Sequence, residues 1–378
     1  MTCAIGESWA ATFQGLGIIP PTGSDIFESQ AIDLSANGSV VVGLSAGKVF
    51  LWTHAAGIVP IGAPPGTASS RATALSPTGE TVAGYLNSFD QVPLTWTGGG
   101  GYLPLGNPAG YANGAANDVS TAGATVVGWS DNHSFGSEQA WRWTSANGFE
   151  LLGFLPGAVG STANAVSANG NIIAGRGHVV GDSGLQALLW IGDNAPVGLG
   201  YLPLGTTSFA EAISSDGTAV VGAGLNVFSL QQAFLWTTGS AKLTPLGSAS
   251  MQSHALAVSN SGNVVVGRAQ PLPLGSAFIW DATNGMRSLQ SVLINQYGLG
   301  PSLLGWTLTE ATAISDNGKV IVGNGIDPQG HMQGWIFEVP EPAGLLAALP
   351  GAAVIVCLVR RRRHLSVGRN GNSAGECC

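Results

Sequence analysis

Five carboxylates are the side chains best suited to acid–base chemistry in this sequence. Hydrolysis of a glycosidic bond needs two carboxyl groups about 5–10 Å apart, one of which protonates the leaving oxygen. The candidates near predicted strand ends are Asp118, Asp182, Glu211, Asp216 and Glu310. Their irregular spacing does not indicate which of them meet in space, so an enzyme acting on extracellular glycans is kept as the alternative function.

Metal and phosphate chemistry has no support in the motifs of the chain. The sequence contains no His-Glu-x-x-His pair, EF-hand loop or P-loop. The histidines follow no regular spacing, and we expect each to be a loop residue rather than a ligand: His54, His133, His178, His254, His331 and His364. We therefore predict no cofactor, no metal site and no catalytic residue, and we favour a non-enzymatic role.

Tryptophan could supply platforms for sugars, because an indole presents a large apolar face. Most of the 11 tryptophans lie within apolar runs and are predicted to belong to a core. We expect exposed contacts from three that lie outside the regular pattern, Trp129, Trp141 and Trp306.

The amino-acid composition argues against two features, a nucleic-acid partner and an internal disulfide framework. Only 9% of the 378 residues are charged, against roughly 25% in ordinary soluble proteins. Residues 1–342 carry a net charge of −12, and residues 343–378 carry +4. An acidic body argues against a nucleic-acid partner. The lack of cysteine between residues 4 and 356 rules out an internal disulfide framework.

One pattern recurs seven times. AIDLSANGSVVVG, residues 31–43, returns with the same internal spacing: a serine, a glycine three residues later, and a second glycine five residues after that. The serines are Ser35, Ser76, Ser120, Ser167, Ser214, Ser259 and Ser315. The first glycines, assigned to turns, are Gly38, Gly79, Gly123, Gly170, Gly217, Gly262 and Gly318. The second glycines are Gly43, Gly84, Gly128, Gly175, Gly222, Gly267 and Gly323.

Each repeat is predicted to form four β-strands. The serine ends the first strand, and an Asn-Gly or Asp-Gly dipeptide in four copies suits a two-residue type I′ hairpin. The valine-rich run forms a second strand covered on both faces, and its final glycine marks close backbone approach. A tryptophan-containing run and a Leu-Gly segment form the third and fourth strands. The tryptophans taken to be in phase are Trp52, Trp96, Trp143, Trp190, Trp236, Trp280 and Trp335.

Four strands in about 45 residues are typical of a β-propeller blade. We predict an all-β, seven-bladed β-propeller over residues 13–338. The last repeat lacks a Leu-Gly segment, whereas the N-terminal FQGLG, residues 13–17, is a spare copy. Its pairing beside Trp335 would close the ring and leave no open sheet edge. An open solenoid is the alternative, and it would need capping repeats at both ends.

An insertion in the sixth repeat predicts a short amphipathic helix over residues 287–298. Four of its apolar residues share one helical face: Leu289, Val292, Leu293 and Tyr297.

The repeat pattern AxAxSxxGxxVVG…AFxWT…LG is similar to the HAF repeats of bacterial extracellular proteins. The resemblance covers nearly all of residues 13–337. It implies an exported protein with a propeller fold and assigns no activity.

The C-terminal segment has three parts. Val339, Pro340, Glu341 and Pro342 form a stiff extended linker, residues 343–359 contain no charge, and Arg360, Arg361, Arg362 and Arg363 follow. As a helix the apolar stretch would span about 25 Å, the short limit for a hydrocarbon core of about 30 Å. We predict a transmembrane helix over residues 343–359, with the arginines in the cytoplasm; a buried core helix is the alternative.

The combination of VPEP, apolar span and arginine cluster over residues 339–364 resembles the PEP-CTERM sorting signal. The resemblance implies handling by an exosortase-type membrane protease and release or attachment at the cell surface. Residues 365–378 are predicted to be a disordered tail. Residues 1–17 contain no recognisable export signal, and we expect the true start to lie upstream.

These features predict an exported propeller, membrane-anchored or located at the cell surface, with a structural, adhesive or glycan-binding role. The expected partners are the membrane, through the C-terminal helix, an exosortase-type protease and extracellular polysaccharide. Because the body is acidic, a neutral polysaccharide is favoured over an anionic one.

Overall fold

The fold is known from a computed structural model, which describes residues 10–20, 27–62, 64, 69–133, 137–179, 184–270 and 275–339. Within these residues the chain forms seven four-stranded antiparallel sheets, each built on one sequence repeat. Neighbouring sheets pack through their first strands, and the first sheet also packs against the last. The predicted seven-bladed β-propeller is therefore confirmed.

The strands are numbered in chain order, and the blades follow the order of the repeats. Strand β1 is Thr12–Gly15. Blade 1 contains β2 (Ser29–Leu34), β3 (Val41–Ser45), β4 (Lys48–Thr53) and β5 (Gly57–Gly62). Blade 2 contains β6 (Ser70–Leu75), β7 (Thr81–Leu86), β8 (Val92–Thr97) and β9 (Gly101–Pro104). Blade 3 contains β10 (Asn113–Val119), β11 (Val126–Asp131), β12 (Gln139–Thr144) and β13 (Gly148–Leu151).

The remaining blades follow the same plan. Blade 4 contains β14 (Ala158–Val166), β15 (Ile172–Val179), β16 (Leu185–Ile191) and β17 (Val197–Gly198). Blade 5 contains β18 (Ser208–Ile213), β19 (Ala219–Leu225), β20 (Gln231–Thr237) and β21 (Thr244–Pro245). Blade 6 contains β22 (Gln252–Val258), β23 (Val264–Gln270), β24 (Ser276–Asp281) and β25 (Gly285–Ser288). Blade 7 contains β26 (Thr307–Ile314), β27 (Val320–Ile326) and β28 (Met332–Glu338).

The N-terminal strand completes blade 7, as predicted. Strand β1 pairs antiparallel with β28, placing Phe13 opposite Phe337 and Gly15 opposite Trp335. The ring of Phe13 lies 6.0 Å from that of Trp335 and meets Trp306 edge-on at 5.3 Å. The first strand of the chain thus closes the ring with both backbone bonds and aromatic packing.

The predicted helix is also confirmed. Helix α1 covers Leu289–Tyr297 and leads from blade 6 towards blade 7. The hydroxyl of Ser288 accepts the N–H of Ser291 at its start, and Gly298 ends it in the left-handed conformation. Leu289, Val292 and Leu293 are buried against the blades.

The turn between the first and second strands of a blade is wider than predicted. In blade 1 the N–H of Ser35 donates to the carbonyl of Val40, so four residues lie between them. Only Gly38 in this turn has positive φ, at +78°, whereas a type I′ turn needs two such residues. The type I′ prediction is therefore wrong for the four copies with Asn-Gly or Asp-Gly, whereas Ala122-Gly123 and Ser261-Gly262 each have two residues with positive φ. The hydroxyl of Ser35 instead closes the loop by accepting the N–H of Val40 at 3.0 Å.

This serine bond recurs in all seven blades at 2.9–3.0 Å. The turn glycine that follows packs against the preceding blade. A Cβ at Gly217, where φ is +76°, would lie 2.7 Å from the side chain of Ile172. Glycine is needed there both for the backbone conformation and for space between the blades.

The second glycine of each repeat lies where two strands approach closely, as predicted. A Cβ at Gly222 would lie 2.0 Å from the carbonyl oxygen of Phe209, and all seven positions show the same approach at 2.0–2.3 Å. In blade 7 the residue that pairs with this glycine is Trp335. In blade 1 the residue that pairs with it is Phe50, and Trp52 lies two residues later. The phase assigned to Trp335 is therefore wrong, because Phe337 occupies the place of Trp52.

The connections form two different faces of the propeller. The serine–glycine turns and the connections from third to fourth strands form one face, here called the turn face. The connections from second to third strands and those between blades form the opposite face, here called the loop face. Strand β28 ends at the turn face, where the N–H of Val339 donates to the carbonyl of Lys319.

Candidate functional site

The first strands of the seven blades line a central channel. Each contains a β-bulge at the same place, where one residue has no opposite partner in the second strand. A bulge turns a side chain away from its regular direction. The bulge residues, all of which line the channel, are Ile32, Thr73, Asn117, Asn164, Glu211, Leu256 and Thr312. The channel holds a cavity of about 210 Å³, below the range of about 300–1,000 Å³ usual for small-molecule pockets.

Polar bulge residues bind the next blade. Four of them donate to the carbonyl oxygen of the alanine that precedes the neighbour's own bulge. These bonds join Thr73 to Ala116 at 2.8 Å, Asn117 to Ala163 at 2.8 Å, Asn164 to Ala210 at 2.7 Å and Thr312 to Ala31 at 3.2 Å. The channel wall is therefore a belt of hydrogen bonds between blades.

Asp33 and Asp118 follow the bulge in blades 1 and 3, at a position where the other five blades have alanine. One oxygen of Asp33 accepts the N–H of Leu34, and the other accepts the N–H of Leu75 in blade 2, both at 2.8 Å. Asp118 repeats this arrangement with its own blade and with Val166 of blade 4, at 2.7 Å. Each carboxylate therefore joins two blades.

The two channel carboxyls influence each other's ionisation. Burial raises the pKa of Asp33 from 3.8 to about 6, although the N–H groups of Leu75 and Leu34 oppose the rise. Burial, and next the charge of Asp33, raise the pKa of Asp118 to about 8. Two carboxyls with separated pKa values can act as acid and base. Here, however, each oxygen already accepts a backbone N–H.

The structure separates the five carboxylates proposed for chemistry. Asp118 and Glu211 line the channel, and Glu211 also lies 3.1 Å from His254 Nε2 in blade 6. Glu310 is half-buried beside Arg268, at 3.6 Å, which links blades 7 and 6. With these pairs, every interface between neighbouring blades has at least one polar side-chain bridge.

The two other candidates lie elsewhere. Asp216 belongs to the turn of blade 5 rather than to the channel. Burial alone would raise its pKa, but hydrogen bonds from Ser214, Thr218 and Ser261 outweigh this effect and hold the pKa at about 2. Asp182 lies outside the described residues.

Asp33 was missed by the sequence analysis, although the repeat alignment contained the signal for it. At the repeat position where the other five copies have alanine, an aspartate occurs twice, in AIDLS and ANDVS. Only the second was counted among the candidates, because it was judged by its place near a strand end and not by its phase.

The histidines are bound to carboxylates. His178 and His254 lie in strands β15 and β22, so the prediction that every histidine is a loop residue is wrong for these two. Each of the five described histidines lies within 2.8–3.5 Å of an Asp or Glu oxygen. Among the described residues, no group of three or more His, Cys, Asp or Glu is placed to hold a metal ion.

The pentapeptide Gly43–Gly47 matches the Gly-x-Ser-x-Gly pattern of α/β-hydrolases. Its Ser45 is buried, donates to the carbonyl of Glu28 at 2.7 Å and accepts the N–H of Ile19 at 2.9 Å. A two-residue turn leads from it into β4, whereas a nucleophile elbow leads from a strand into a helix. Ser45 therefore holds the N-terminal segment in place.

One of the tryptophans proposed for sugar contacts is buried. Trp141 is fully buried opposite Gly128, and its Nε1 donates to Ser130 Oγ at 3.0 Å. The expectation that it is exposed is wrong, because it fills the space that the glycine leaves open. Trp129 and Trp306 are half-buried.

The exposed large apolar side chains of the connecting loops all lie on the loop face. Outside strands and helix α1, seven large apolar residues of the described part are exposed, and all seven lie in connections of this face. They are Phe27, Phe89, Phe154, Leu204, Val227, Phe228 and Leu304. They were not predicted from the sequence, because they share no common phase of the repeat.

Most of the proposed sorting signal lies outside the described residues, including Pro340, Glu341, Pro342, the span 343–359 and the four arginines. Val339 is described. Within the part of the chain that the structure describes, no helix has the length and hydropathy needed to cross a membrane.

Comparisons with known proteins give a structural likeness only. No family model and no curated protein matches the chain. TolB from Acinetobacter baumannii superposes with a TM-score of 0.46 at 12% identity, over 68% of this chain and 62% of that one, less than two thirds of its length. A TolB candidate from Agrobacterium tumefaciens gives a TM-score of 0.43 at 14% identity, over 84% of this chain and 92% of that one.

Proposed function

We propose that this chain is an exported propeller of the cell surface that binds neutral extracellular glycan through its loop face. The observation that carries the proposal is that all seven exposed large apolar side chains of the described connections lie on that one face. Apolar surface left in water costs roughly 25 cal/mol per Å², and a face rich in it is typical of a contact surface. Aromatic rings among them suit the C–H faces of sugars.

The cellular address rests on two resemblances, that of the repeats to HAF repeats and that of residues 339–364 to a PEP-CTERM signal. We propose that the C-terminal segment spans the membrane and is handled by an exosortase-type protease. The last described residue, Val339, lies at the turn face. The loop face, at the opposite end of the propeller, is then free to meet the extracellular matrix.

A propeller enzyme that hydrolyses glycans is the second candidate. The coupled carboxyls of Asp33 and Asp118 favour it, because their pKa values are raised to different levels within one channel. Binding is the better-supported role, since all four oxygens of the two carboxylates accept backbone N–H groups, and one oxygen of each carboxylate accepts from the next blade. A group with that structural duty is poorly placed to exchange protons with a substrate.

A glycan array and a hydrolysis screen on the same full-length material test both roles. Retention on neutral glycans without release of sugar supports the binding role. Release of product that Asp118→Asn abolishes would establish the enzyme instead. Failure to bind any glycan, with no product formed, would reject both.

A further inference from the structure

The most exposed large apolar side chain of the described residues is held in a fixed orientation. Phe89, 87% exposed, lies in the β7–β8 connection of blade 2 on the loop face. Its ring stacks on the imidazole of His133 from blade 3, with 5.1 Å between centroids and 28° between planes. One face of the phenyl ring is thereby supported, and the ring remains open to solvent.

His133 is itself positioned by two carboxylates. Its backbone has φ of +59°, which is uncommon for a residue other than glycine. Its N–H donates to Oδ1 of Asp131 at 3.0 Å, and its Nε2 lies 2.9 Å from Oδ1 of Asp90. Asp131 is buried and also accepts from Asn113 at 2.9 Å. Strained conformations persist where surrounding bonds determine them, and such places are often binding sites.

Two other groups of a phenylalanine, a histidine and a carboxylate differ from the Phe89 group in ring geometry and in the exposure of their side chains. Phe209 beside His254 is buried. Phe27 meets His331 edge-on, with 63° between the ring planes. The carboxylate partner of His331 is Asp327, whose side chain is only 5% exposed. Beside Phe89, by contrast, the side chain of Asp90 is 58% exposed and can accept further hydrogen bonds.

An open aromatic face next to an accessible carboxylate has the two components that a sugar ring requires. The ring's C–H face is apolar and packs on an aromatic plane, and its hydroxyls donate to a carboxylate in short, strong bonds. Asp90 would repel a uronate or sulfate, so the ligand carries no negative charge. We propose that Phe89, Asp90 and His133 form a binding site for a neutral saccharide.

This site rests on the proposed glycan-binding function, which it makes specific to one place. Affinity electrophoresis of full-length protein, in mild detergent and in gels containing neutral glucan, mannan or galactan, measures binding directly. Leu103→Ala is the control, because Leu103 is 53% exposed on β9, the outer strand of the same blade, and lies away from the loop face. Phe89→Trp keeps an aromatic plane and should retain binding.

We expect Phe89→Ala to weaken binding by about tenfold or more and Asp90→Asn by a smaller factor, with Leu103→Ala unchanged. A tenfold loss corresponds to about 1.4 kcal/mol. Unchanged binding in Phe89→Ala, in a protein that binds glycan, would overturn the site and leave the proposed function standing. A wild-type protein that no neutral glycan retards would overturn both.

Discussion

The carboxylate of Asp118 in blade 3 accepts the backbone N–H of Val166 in blade 4 at 2.7 Å. Blades share no sheet hydrogen bonds. Their contact consists of apolar packing, side-chain bridges of this kind and backbone hydrogen bonds between loops, such as that from the N–H of Ala36 to the carbonyl of Pro77. One apolar cluster, for instance, combines Val41 and Phe50 of blade 1 with Val320 and Val322 of blade 7. The polar bridge adds a directional bond to the apolar packing.

The channel carboxyls predict an unusual dependence of stability on pH. The pKa values of Asp33 and Asp118 are raised above the 3.8 of an unperturbed aspartate, to about 6 and about 8. Folding therefore favours their protonated forms, and this contribution, full below 3.8, is lost as the pH rises through the folded values. We expect the free energy of unfolding in urea to fall between pH 5 and pH 8, by at most about 1.4 kcal/mol per pH unit for each group.

The matched variant is the double change Asp33→Ala and Asp118→Ala. It should be less stable overall, because the bridges are lost, and its stability should depend less on pH between 5 and 8. Wild-type stability that rises over this interval would contradict the prediction.

The second glycines should tolerate no side chain. Gly222→Ala places a Cβ 2.0 Å from the carbonyl oxygen of Phe209, a backbone atom that cannot move alone. We expect a loss of about 2–4 kcal/mol in urea unfolding, at or beyond the upper end of ordinary overpacking. The control is Gly148→Ala, where φ is +69° but a Cβ meets no atom within 4 Å, and where backbone strain alone costs about 1–2 kcal/mol. Equal losses in the two variants would refute the packing explanation.

The hydroxyl of the repeated serine should contribute to the free energy of unfolding. Ser35→Ala removes the acceptor of the Val40 N–H, and leaving such a group unsatisfied costs about 1–3 kcal/mol. Ser39 lies in the same turn but is exposed, so Ser39→Ala should change the free energy of unfolding by less than about 0.5 kcal/mol. Thermal or urea unfolding of the two variants distinguishes the roles.

Closure of the ring should depend on β1. Phe13→Ala removes a buried ring that packs on Trp335 and Trp306, and we expect a loss of about 3–5 kcal/mol. Deletion of residues 1–17 should be more severe, because β28 then becomes an open edge prone to aggregation. Deletion of residues 1–9 alone, which keeps β1, is the control. Unchanged thermal stability after the longer deletion would contradict closure.

The proposed anchor predicts a change of cell fraction. Removal of residues 340–378 keeps β28 and Val339 but deletes the 17-residue apolar stretch. We expect a membrane-associated protein to become soluble, as followed by fractionation and immunoblotting. Full-length protein of unprocessed mass that stays wholly in the soluble fraction would contradict the anchor.

The architecture was predictable because its signals are local and repeated. The spacing of serine and two glycines defined each blade, and the spare FQGLG segment accounted for the strand that blade 7 lacks. Because each blade repeats the same short-range pattern, the number of repeats and of predicted strands was enough to predict seven blades and a closed ring.

The details that failed depend on contacts between strands. Trp335 was aligned by residue type, but pairing with Gly323 places it two residues from the tryptophan of the other blades. Trp141 was expected outside because it broke the pattern, yet Gly128 leaves room for it inside. The loop closed by Ser35 needs a side-chain bond that no dipeptide preference contains. Phe89 and His133 occupy the same phase of neighbouring repeats, 44 residues apart, but their residue types differ and did not indicate that the two rings stack.

The pairing of β1 with β28 has a mechanical consequence. Strand β28 runs from the loop face to the turn face, with β27 bonded on one side and β1 on the other. A tether pulling at Val339, against a load held at the loop face, draws this strand along its own length. The hydrogen bonds on both sides are then loaded in shear and must break together rather than one after another. By pairing with β28, strand β1 thus gives the last described strand bonds on both sides, which resist tension applied at Val339.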